Sequence, residues 1–513
     1  MIAKCFSAAV LGIDAFPVEV EVNVTNSGMQ DVISIVGLPD AAVRESRDRI
    51  KSALLSCAIA LPGGTTIVNL APADLRKEGA AFDLAIALGI LAANGRIPEK
   101  NLRRLAVIGE LALDGTIRPI KGALPIAVAF SANKLVDAII LPRANGEEAA
   151  LACENCPVFA VDHLLEVIDY LNGRMELTPY KADLQEYLRE DNSRNLDFAD
   201  VKGQIMARRA MEIAASGGHN SLLIGPPGTG KSMISSRLPG ILPPMTLAET
   251  LESSRIYSVL GMLADGKPLL NKRPFRAPHH TISDVGLIGG GKDPKPGEIS
   301  LANHGVLFLD ELPEFKRNVL EVLRQPLENG QITISRASGS CTFPARFMLC
   351  AAMNPCPCGL GEYELGCTCK IDEKRRYRKR ISGPLLDRID LHVEVLQLTP
   401  DELLSSGISE SSAVIAQRVA AARDIQLHRF RGSGIFCNAS MGSRELRKFC
   451  RLDSMSQMML RNAIVNFKLS PRAHDRILKV ARTIADLSGG HDIKESDIFE
   501  AISYRGADRK GWD

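Results

Sequence analysis

The sequence predicts an α/β protein of several domains, in which a central parallel-sheet domain lies between a mixed N-terminal domain and a helical C-terminal domain. Three observations predict this fold. Short β-type runs alternate with helical patterns in the first third of the chain, two apolar runs in the middle end in glycine-rich or acidic segments, and helical periodicity dominates the last part. A chain of 513 residues has room for about three or four domains.

The domain boundaries follow from changes in this pattern. Residues 1–171 alternate strands such as Val18–Val22 with helical patterns such as Asp40–Leu55, and the polar, charged stretch 172–196 is expected to be a linker. The central domain is expected at 197–396 and a helical lid at 397–513. The lid prediction rests on helical patterns at 411–429, 443–450, 455–467, 471–487 and 494–503.

The most specific motif of the central domain is a phosphate-binding loop. The apolar run Leu222–Ile224 leads directly into a segment that fits G-x-x-x-x-G-K-[ST]. The segment consists of Gly225, Pro226, Pro227, Gly228, Thr229, Gly230, Lys231 and Ser232. Its glycines let successive backbone N–H groups face the β- and γ-phosphates of ATP, while Lys231 supplies a positive charge and Ser232 a hydroxyl for Mg²⁺. We therefore predict an ATP–Mg²⁺ site here.

A second apolar run, Val306–Leu309, ends in the carboxylates Asp310 and Glu311. A buried parallel strand delivers such residues to the carboxyl edge of its sheet, next to the phosphate loop. Asp310 is predicted to hold Mg²⁺ through water, and Glu311 to polarise the water that attacks the γ-phosphate.

Three further polar residues are candidates for catalysis. Asn354 follows an apolar run, and its amide can hold the attacking water or the γ-phosphate without adding repulsive charge; the alternative is a capping residue before Pro355. Arg388 directly precedes another strand, where an arginine is ordinarily a surface ion-pair residue. Arg472 opens a helix in the lid and is expected to act on the same nucleotide.

Four cysteines form the most distinctive insertion, expected at 355–370. Cys356, Cys358, Cys367 and Cys369 have the spacing C-x-C, eight residues, C-x-C, with glycines that allow a tight loop. Four thiolates at this spacing can close a tetrahedron around Zn²⁺. An iron–sulfur cluster and four incidental reduced cysteines are the alternatives.

Charge and hydropathy limit the partners. A net charge of +2 means that contact with nucleic acid requires a local patch. Lys370–Arg380 holds seven bases, two acids and one aromatic residue, which is typical either of a solvated helix face or of a phosphate-binding segment. The segment 332–347 resembles the hairpin that ring-forming ATPases place in their pore, and this resemblance implies that Arg336 contacts DNA there.

The sequence begins without a signal-peptide pattern, and no apolar stretch approaches the ~20 residues that span a bilayer. Together with reduced cysteines, this predicts a cytoplasmic protein that does not bind membranes.

Several motifs resemble a known family. Asp197–Gln204, Arg273–Thr281 and Gly289–Gly291, in their order around the phosphate loop, the acidic strand and Arg388, resemble the YifB/ComM group of magnesium-chelatase-like AAA+ ATPases. The resemblance covers essentially the whole chain. It implies a homo-oligomeric ring, expected to be a hexamer, with nucleotide at subunit interfaces, Arg388 as the arginine finger and Arg472 as the sensor of the lid.

The same resemblance implies an ATPase that moves on single-stranded or branched DNA, as a helicase or branch-migration motor in recombination and natural transformation. The same motifs are compatible with two other functions. One is a magnesium-chelatase-like motor that remodels a partner protein, and the other is an ATP-gated scaffold without strand movement.

The N-terminal domain resembles the proteolytic domain of Lon, a ribosomal S5 domain 2-like fold, in the segments Lys77–Ala81 and Gly109–Gly115. That family uses a Ser–Lys dyad. Ala81 stands at the position of its serine and Leu124 at that of its lysine, and neither side chain can attack a carbonyl or accept a proton. The resemblance therefore implies the fold of a protease without peptidase activity.

Overall fold

The computed structural model describes residues 2–25, 32–61, 63–153, 155–183, 196–263, 267–291, 294–336, 339–360, 366–404, 409–467 and 469–505. The chain divides into two compact units. The first consists of residues 1–190 and 247–271, and the second of residues 191–246 and 272–513.

The first unit is built on a mixed sheet. Its strands are β1 (Ile2–Leu11), β2 (Asp14–Thr25), β3 (Val32–Val36), β4 (Thr65–Ala71), β5 (Leu105–Val107), β6 (Glu110–Leu111), β7 (Ile117–Arg118), β8 (Ala138–Pro142) and β9 (Val158–Val161). Seven of them form one sheet in the order β3-β4-β2-β1-β5-β8-β9, and β6 pairs with β7. The β1–β2 and β2–β4 pairs are antiparallel, and the other neighbours in the large sheet are parallel.

Helices cover this sheet. They span Ala41–Ser56, Asp83–Ala93, Glu99–Leu102, Ala123–Ala132, Gly146–Ala152, Leu164–Leu171 and Leu247–Leu260. Helix Asp83–Ala93 is buried along its whole length because nearly all its residues are apolar. Helix Ala41–Ser56 begins at Asp40, whose carboxylate accepts a hydrogen bond from the Val43 N–H at 2.8 Å. Valines of β2 alternate inward with outward glutamates, as a half-buried strand requires.

The second unit contains a parallel sheet. Its strands are β10 (Ser221–Ile224), β11 (Phe275–Arg276), β12 (Gly289–Gly290), β13 (Lys295–Pro296), β14 (Val306–Leu309), β15 (Gln331–Arg336), β16 (Gly339–Pro344), β17 (Met348–Met353) and β18 (Leu391–Glu394). The main sheet has the order β11-β14-β17-β10-β18 and is parallel throughout. β15 and β16 form the expected antiparallel hairpin, although its turn residues 337–338 lie outside the described part of the chain.

Helices surround this sheet and continue into the C-terminal region. They span Ile205–Gly217, Lys231–Arg237, Asp284–Ile288, Glu298–Leu301, Arg317–Glu321, Arg324–Asn329, Ile371–Arg378, Gly383–Leu386, Pro400–Leu404, Ser412–Arg429, Ser443–Phe449, Ser454–Phe467, Pro471–Leu487 and Glu495–Ser503. One hydrophobic core includes Leu223 and Cys350 of the sheet and Ile477 and Ile498 of the C-terminal helices. The sheet and the C-terminal helices therefore share one hydrophobic core.

The predicted α/β fold with a helical C-terminal region is confirmed. The sequence boundaries include Leu247–Asn271 in the central domain, whereas in the structure this stretch packs with the first unit. Residues 184–195 of the predicted linker lie outside the described residues, as do 361–365 of the cysteine loop and 506–513 of the lid. In the described part of the chain, no helix combines the length and the apolar character needed to cross a membrane.

Candidate functional site

Three polar segments meet at the carboxyl edge of the parallel sheet. The phosphate loop Gly225–Ser232 follows β10, Asp310 and Glu311 follow β14, and Asn354 follows β17. Because β14, β17 and β10 are neighbours, their ends lie side by side, and the Gly225 N–H donates to the carbonyl of Met353 at 3.2 Å. Parallel strand order thus gathers the predicted ATP-site residues at one edge.

The backbone of the phosphate loop requires its glycines. Gly228 and Gly230 have φ angles of +78° and +88°, which favour glycine strongly. A Cβ on Gly225 would lie 2.1 Å from the carbonyl oxygen of Val395, so this position also excludes a side chain. The Gln204 side-chain amide donates to the carbonyl of Thr229 at 3.3 Å and supports the loop from outside.

The Lys231 side chain reaches back to the start of the loop. Its ammonium donates to the carbonyls of Gly225 and Pro226, both at 2.7 Å, and to the Asn354 side-chain oxygen at 3.3 Å. Burial lowers the pKa of Lys231, and the Asp310 carboxylate acts in the opposite direction. The structure thus brings Lys231 and Asn354 into direct contact, as expected for groups that face the same phosphate.

The predicted magnesium ligands also meet. The Ser232 hydroxyl donates to Asp310 Oδ2 at 2.6 Å. A hydroxyl and a carboxylate beside a phosphate loop are the oxygen ligands that Mg²⁺ prefers. These residues fit ATP with Mg²⁺, because the glycine backbone leaves a cradle and the two oxygens converge beside it. Mg²⁺ held there would offset the negative charge of the phosphates.

Glu311 has a partner that sequence reasoning missed. Its carboxylate lies 3.1 Å from Nδ1 of His280, and the His280 ring packs edge-on against Phe315 with centroids 6.4 Å apart. Glu311 itself has a φ of +52°, a strained conformation for a residue with a side chain and one that recurs at functional sites. The sequence places His280 in the Arg273–Thr281 motif but gives no sign of a carboxylate partner, since Glu311 is distant along the chain.

Arg388 and Arg472 meet away from the phosphate loop. Both side chains form ion pairs with Glu328. Arg388 Nη2 is in close contact with Glu328 Oε1, and Arg472 Nη2 lies 3.9 Å from the same oxygen. Arg388 is buried, and burial lowers its pKa; Glu328 opposes this effect, and the nearby Arg472 and Arg324 add to it. Among the described contacts, neither Arg388 nor Arg472 bonds to the phosphate loop.

The backbone of Arg388 fixes which edge of the sheet it occupies. The Asn220 side chain donates to the carbonyl of Arg388 at 2.9 Å. Asn220 directly precedes β10, whereas the phosphate loop directly follows it. Four strand residues at about 3.3 Å each put the two ends of β10 roughly 13 Å apart, farther than an arginine side chain extends. Arg388 therefore lies at the amino edge, opposite its own phosphate loop.

The cysteines of the insertion come together as one cluster. The four sulfurs of Cys356, Cys358, Cys367 and Cys369 all lie within 4.8 Å of one another. Cys367 Sγ lies 3.9 Å from Cys356 Sγ and 3.7 Å from Cys358 Sγ. A tetrahedron with Zn–S bonds of about 2.3 Å has sulfurs about 3.8 Å apart, so this arrangement fits a single zinc ion. A hydrogen bond from the Leu360 backbone N–H is the main cause that lowers the pKa of Cys358, to about 6, which favours a ligating thiolate.

The basic segment after the cysteines forms helix Ile371–Arg378, which borders a cleft. The cleft is lined by Pro313, Glu314, Phe315, Arg317, Arg376, Lys379 and Arg380. Four of these residues are basic and one is acidic, with Arg380 paired to Glu314 at 2.9 Å. Tyr377, on the same helix, is buried and anchors it. The cleft therefore has a net positive charge, and the buried Tyr377 holds the helix on one side of it in place.

In the first unit, the two positions expected for a protease dyad carry no reactive group. Ala81 is half-buried and Leu124 is buried. Lys121 is held elsewhere: its side chain packs on Gly261, where a Cβ would lie 2.9 Å from Lys121 Cε. The amino acids at these two positions cannot perform acyl transfer.

The parallel sheet, the phosphate loop and the acidic strand define a P-loop ATPase with a helical C-terminal region. Three family descriptions match the chain: "Magnesium chelatase, subunit ChlI" over residues 197–403, "Subunit ChlI of Mg-chelatase" over 20–145, and "Magnesium chelatase, subunit ChlI C-terminal" over 409–505.

Full-length relatives extend this match. The Competence protein ComM of Haemophilus influenzae is 44% identical over 510 residues, which cover 98% of this chain and 97% of the relative. The YifB protein of Escherichia coli is 44% identical over 508 residues, covering 98% of this chain and 96% of the relative. The magnesium-chelatase 38 kDa subunit of Rhodobacter capsulatus is 27% identical over 218 residues, 39% of this chain and 55% of that protein. The chain belongs to the YifB/ComM group of magnesium-chelatase-like AAA+ ATPases.

Proposed function

We propose that this ATPase assembles into a hexameric ring that couples ATP hydrolysis to movement on single-stranded or branched DNA. In this function Lys231 and the phosphate loop bind ATP, Ser232 and Asp310 hold Mg²⁺, and Glu311 orients the attacking water with Asn354 beside it. Arg388 and Arg472 act on the nucleotide of the neighbouring subunit.

The position of Arg388 is the observation that supports a ring of subunits. Its backbone lies at the amino end of β10, while the phosphate loop lies at the carboxyl end of the same strand. An arginine finger must approach the γ-phosphate, and this arrangement supports approach from a second subunit. The contact of Arg472 with the same Glu328 supports a shared target for the two arginines.

The basic cleft supports DNA as the partner. Arg376 and Lys379 line a cleft with four basic residues and one acidic residue, which suits the regularly spaced charges of a phosphate backbone. The hairpin of β15 and β16 supplies a second candidate contact through the exposed Arg336. The name of the Haemophilus influenzae relative, Competence protein ComM, is consistent with a role in natural transformation.

Strand separation on forked and four-way DNA tests this function. The full-length protein is assayed with ATP and with a non-hydrolysable analogue, and DNA affinity is measured at several salt concentrations. We expect ATP-dependent strand separation and a DNA-stimulated ATPase. Replacing Arg376 and Lys379 by Ala should lower the slope of log affinity against log salt by about one per residue.

A matched pair controls for the loss of charge. Arg444 and Arg447 are exposed on helix Ser443–Phe449, and replacing both by Ala removes the same charge from a surface outside the cleft. This pair should leave the slope unchanged. An ATPase that DNA does not stimulate, with no strand separation, contradicts the DNA function and favours a motor that remodels a partner protein or an ATP-gated scaffold.

We also propose that the cysteine cluster holds one Zn²⁺ per chain and that the protein is cytoplasmic. The four sulfurs within 4.8 Å support a single ion rather than an iron–sulfur cluster, which needs space for sulfide between its irons. None of the twelve cysteines is paired in a disulfide bond, which supports a reducing compartment. Elemental analysis should find zinc, and the zinc should be lost in Cys358→Ser and Cys367→Ser. Iron with sulfide, or no metal, would contradict the zinc assignment.

A further inference from the structure

The segment that carries the cysteine cluster packs against the phosphate loop through Gly359. Strands β17 and β10 are paired in parallel, with Met353 opposite Ile224, so the segments that follow them leave the sheet side by side. The phosphate loop is one of these segments. The other runs through Asn354 into Cys356, which is fully buried.

Gly359 packs against the phosphate loop. A Cβ at this position would lie 2.8 Å from both Cγ and Cδ of Pro227, the third residue of the phosphate loop. The φ of Gly359 is +91°, which also favours glycine. Its N–H donates to the carbonyl of Cys356 at 3.0 Å, which closes a turn containing Cys358. Two of the four cysteines thus shape the surface on which Pro227 rests.

We propose that Zn²⁺ bound by the four cysteines braces the phosphate loop through the contact of Gly359 with Pro227, so that zinc occupancy sets nucleotide affinity. The inference rests on the proposed zinc site. Zinc fixes Cys356 and Cys358 relative to each other, and this fixes the turn that ends at Gly359. With the turn fixed, Pro227 is confined on the side that faces the cysteines. Without zinc, this wall is free to move and the loop loses part of its preorganisation for phosphate.

The basic helix is tied to the same centre. Tyr377 is buried and holds helix Ile371–Arg378, which begins two residues after Cys369. A short stretch of chain therefore joins the cysteine cluster to the helix that borders the basic cleft. Through this connection, the proposed zinc relates the nucleotide site to the proposed DNA contact.

Nucleotide binding and zinc content, measured on the same preparations, test the inference. A fluorescent ATP analogue is titrated with Mg²⁺ into full-length protein before and after treatment with a zinc-selective chelator, and again after zinc is restored. We expect affinity to fall roughly tenfold to a hundredfold without zinc, since small displacements of groups that contact phosphate have effects of this size. Restoring zinc should restore the affinity.

Gly359→Ala separates the contact from the metal. The variant should keep about one zinc per chain and yet bind the analogue about tenfold more weakly, because the added methyl group displaces Pro227. Gly432→Ala is the matched control, since Gly432 also has a positive φ, +78°, but its Cβ would meet no atom within 4 Å. The control should bind the analogue normally.

The outcomes distinguish this inference from the motor proposal. Normal affinity in both the zinc-free protein and Gly359→Ala overturns the bracing role while leaving ATP hydrolysis and DNA movement intact. Equal losses in Gly359→Ala and Gly432→Ala also overturn it, because they point to general backbone strain. Failure of the untreated wild-type protein to separate DNA strands bears on the motor and not on the brace.

Discussion

The sites of the two units differ in what remains of their chemistry. In the second unit, the phosphate loop, Asp310, Glu311 and Asn354 are all present and meet at one sheet edge. In the first unit, the sequence resembles a protease domain, but Ala81 and Leu124 occupy the positions of its reactive groups. The second unit therefore brings together side chains that are predicted to act on ATP, whereas the first unit has no reactive side chain at the two positions of the protease dyad.

A shared fold does not carry a shared activity, because activity depends on the side chains at a few positions of that fold. Strand order alone brings Lys231, Asp310, Glu311 and Asn354 to one edge, and each of them carries the chemical group predicted for its role. The first unit also has a well-packed core around helix Asp83–Ala93, yet a packed core supplies no nucleophile. Substitutions should therefore change activity strongly in one unit and weakly in the other.

The largest effect is expected for Arg388→Ala. Nucleotide binding should remain, since Lys231 and the phosphate loop provide most contacts with ATP, whereas hydrolysis should fall by about 10³ to 10⁵, as for other arginine fingers. Mixing Arg388→Ala chains with Lys231→Ala chains should restore part of the activity. Interfaces that combine an intact phosphate loop with an intact arginine form at random in mixed rings. The ATPase rate is measured against the mixing ratio with DNA present.

Glu328→Gln controls for the structural role of Arg388. The variant weakens the ion pair with Arg388 and Arg472 but keeps both arginines, so it should hydrolyse ATP far better than Arg388→Ala. Mixed rings that show only the residual rates of the two parent variants would rule out an arginine acting between subunits.

A smaller but still large effect is expected for Glu311→Gln. The amide keeps the shape of the carboxylate but lacks the basicity that orients water, so hydrolysis should fall by about 10² to 10⁴ while ATP binding persists. Steady-state ATPase rates and equilibrium binding of a nucleotide analogue check this. Near-normal turnover in the purified variant would remove Glu311 from the reaction.

The contacts of Glu311 and Arg388 show which parts of the candidate site could not be predicted from the sequence. The phosphate loop and the acidic strand are local patterns. Residue spacing and the expected strand order were therefore enough to place Lys231 and Asp310 at the same edge of the sheet. The pairing of Glu311 with His280 and the shared contact of Arg388 and Arg472 with Glu328 join residues distant in sequence. No local pattern encodes such contacts, because they arise from the packing of separate elements. The packing of Leu247–Asn271 with the first unit escaped prediction for the same reason.

His280→Ala should have an intermediate effect. Its ring lies 3.1 Å from the Glu311 carboxylate and therefore positions that side chain without itself being a predicted base. We expect a fall in the maximal ATPase rate of about tenfold, with little change in the KM for ATP, and partial recovery in His280→Gln or His280→Asn, whose amides can still donate a hydrogen bond. Phe315→Leu tests whether packing of the ring matters separately. A rate equal to wild type in His280→Ala would show that Glu311 is oriented by other contacts.

The smallest effect is expected in the first unit, where Ala81→Ser restores a hydroxyl at the position of the protease nucleophile. Ala81 is half-buried, so the added oxygen should change stability by less than about 1 kcal/mol. Leu124 supplies no amine to accept the proton of the hydroxyl, and a serine without a base is a weak nucleophile. We expect that neither the wild-type protein nor Ala81→Ser cleaves unfolded protein or fluorogenic peptides, with or without ATP. We also expect the ATPase rate of the variant to stay within about twofold of wild type.

Peptide cleavage that co-purifies with wild-type protein through several columns would show that the first unit has chemistry that Ala81 and Leu124 do not explain. Cleavage by Ala81→Ser alone would show that another side chain can serve as the base, and a screen of nearby lysines, beginning with Lys121→Ala, would then identify it.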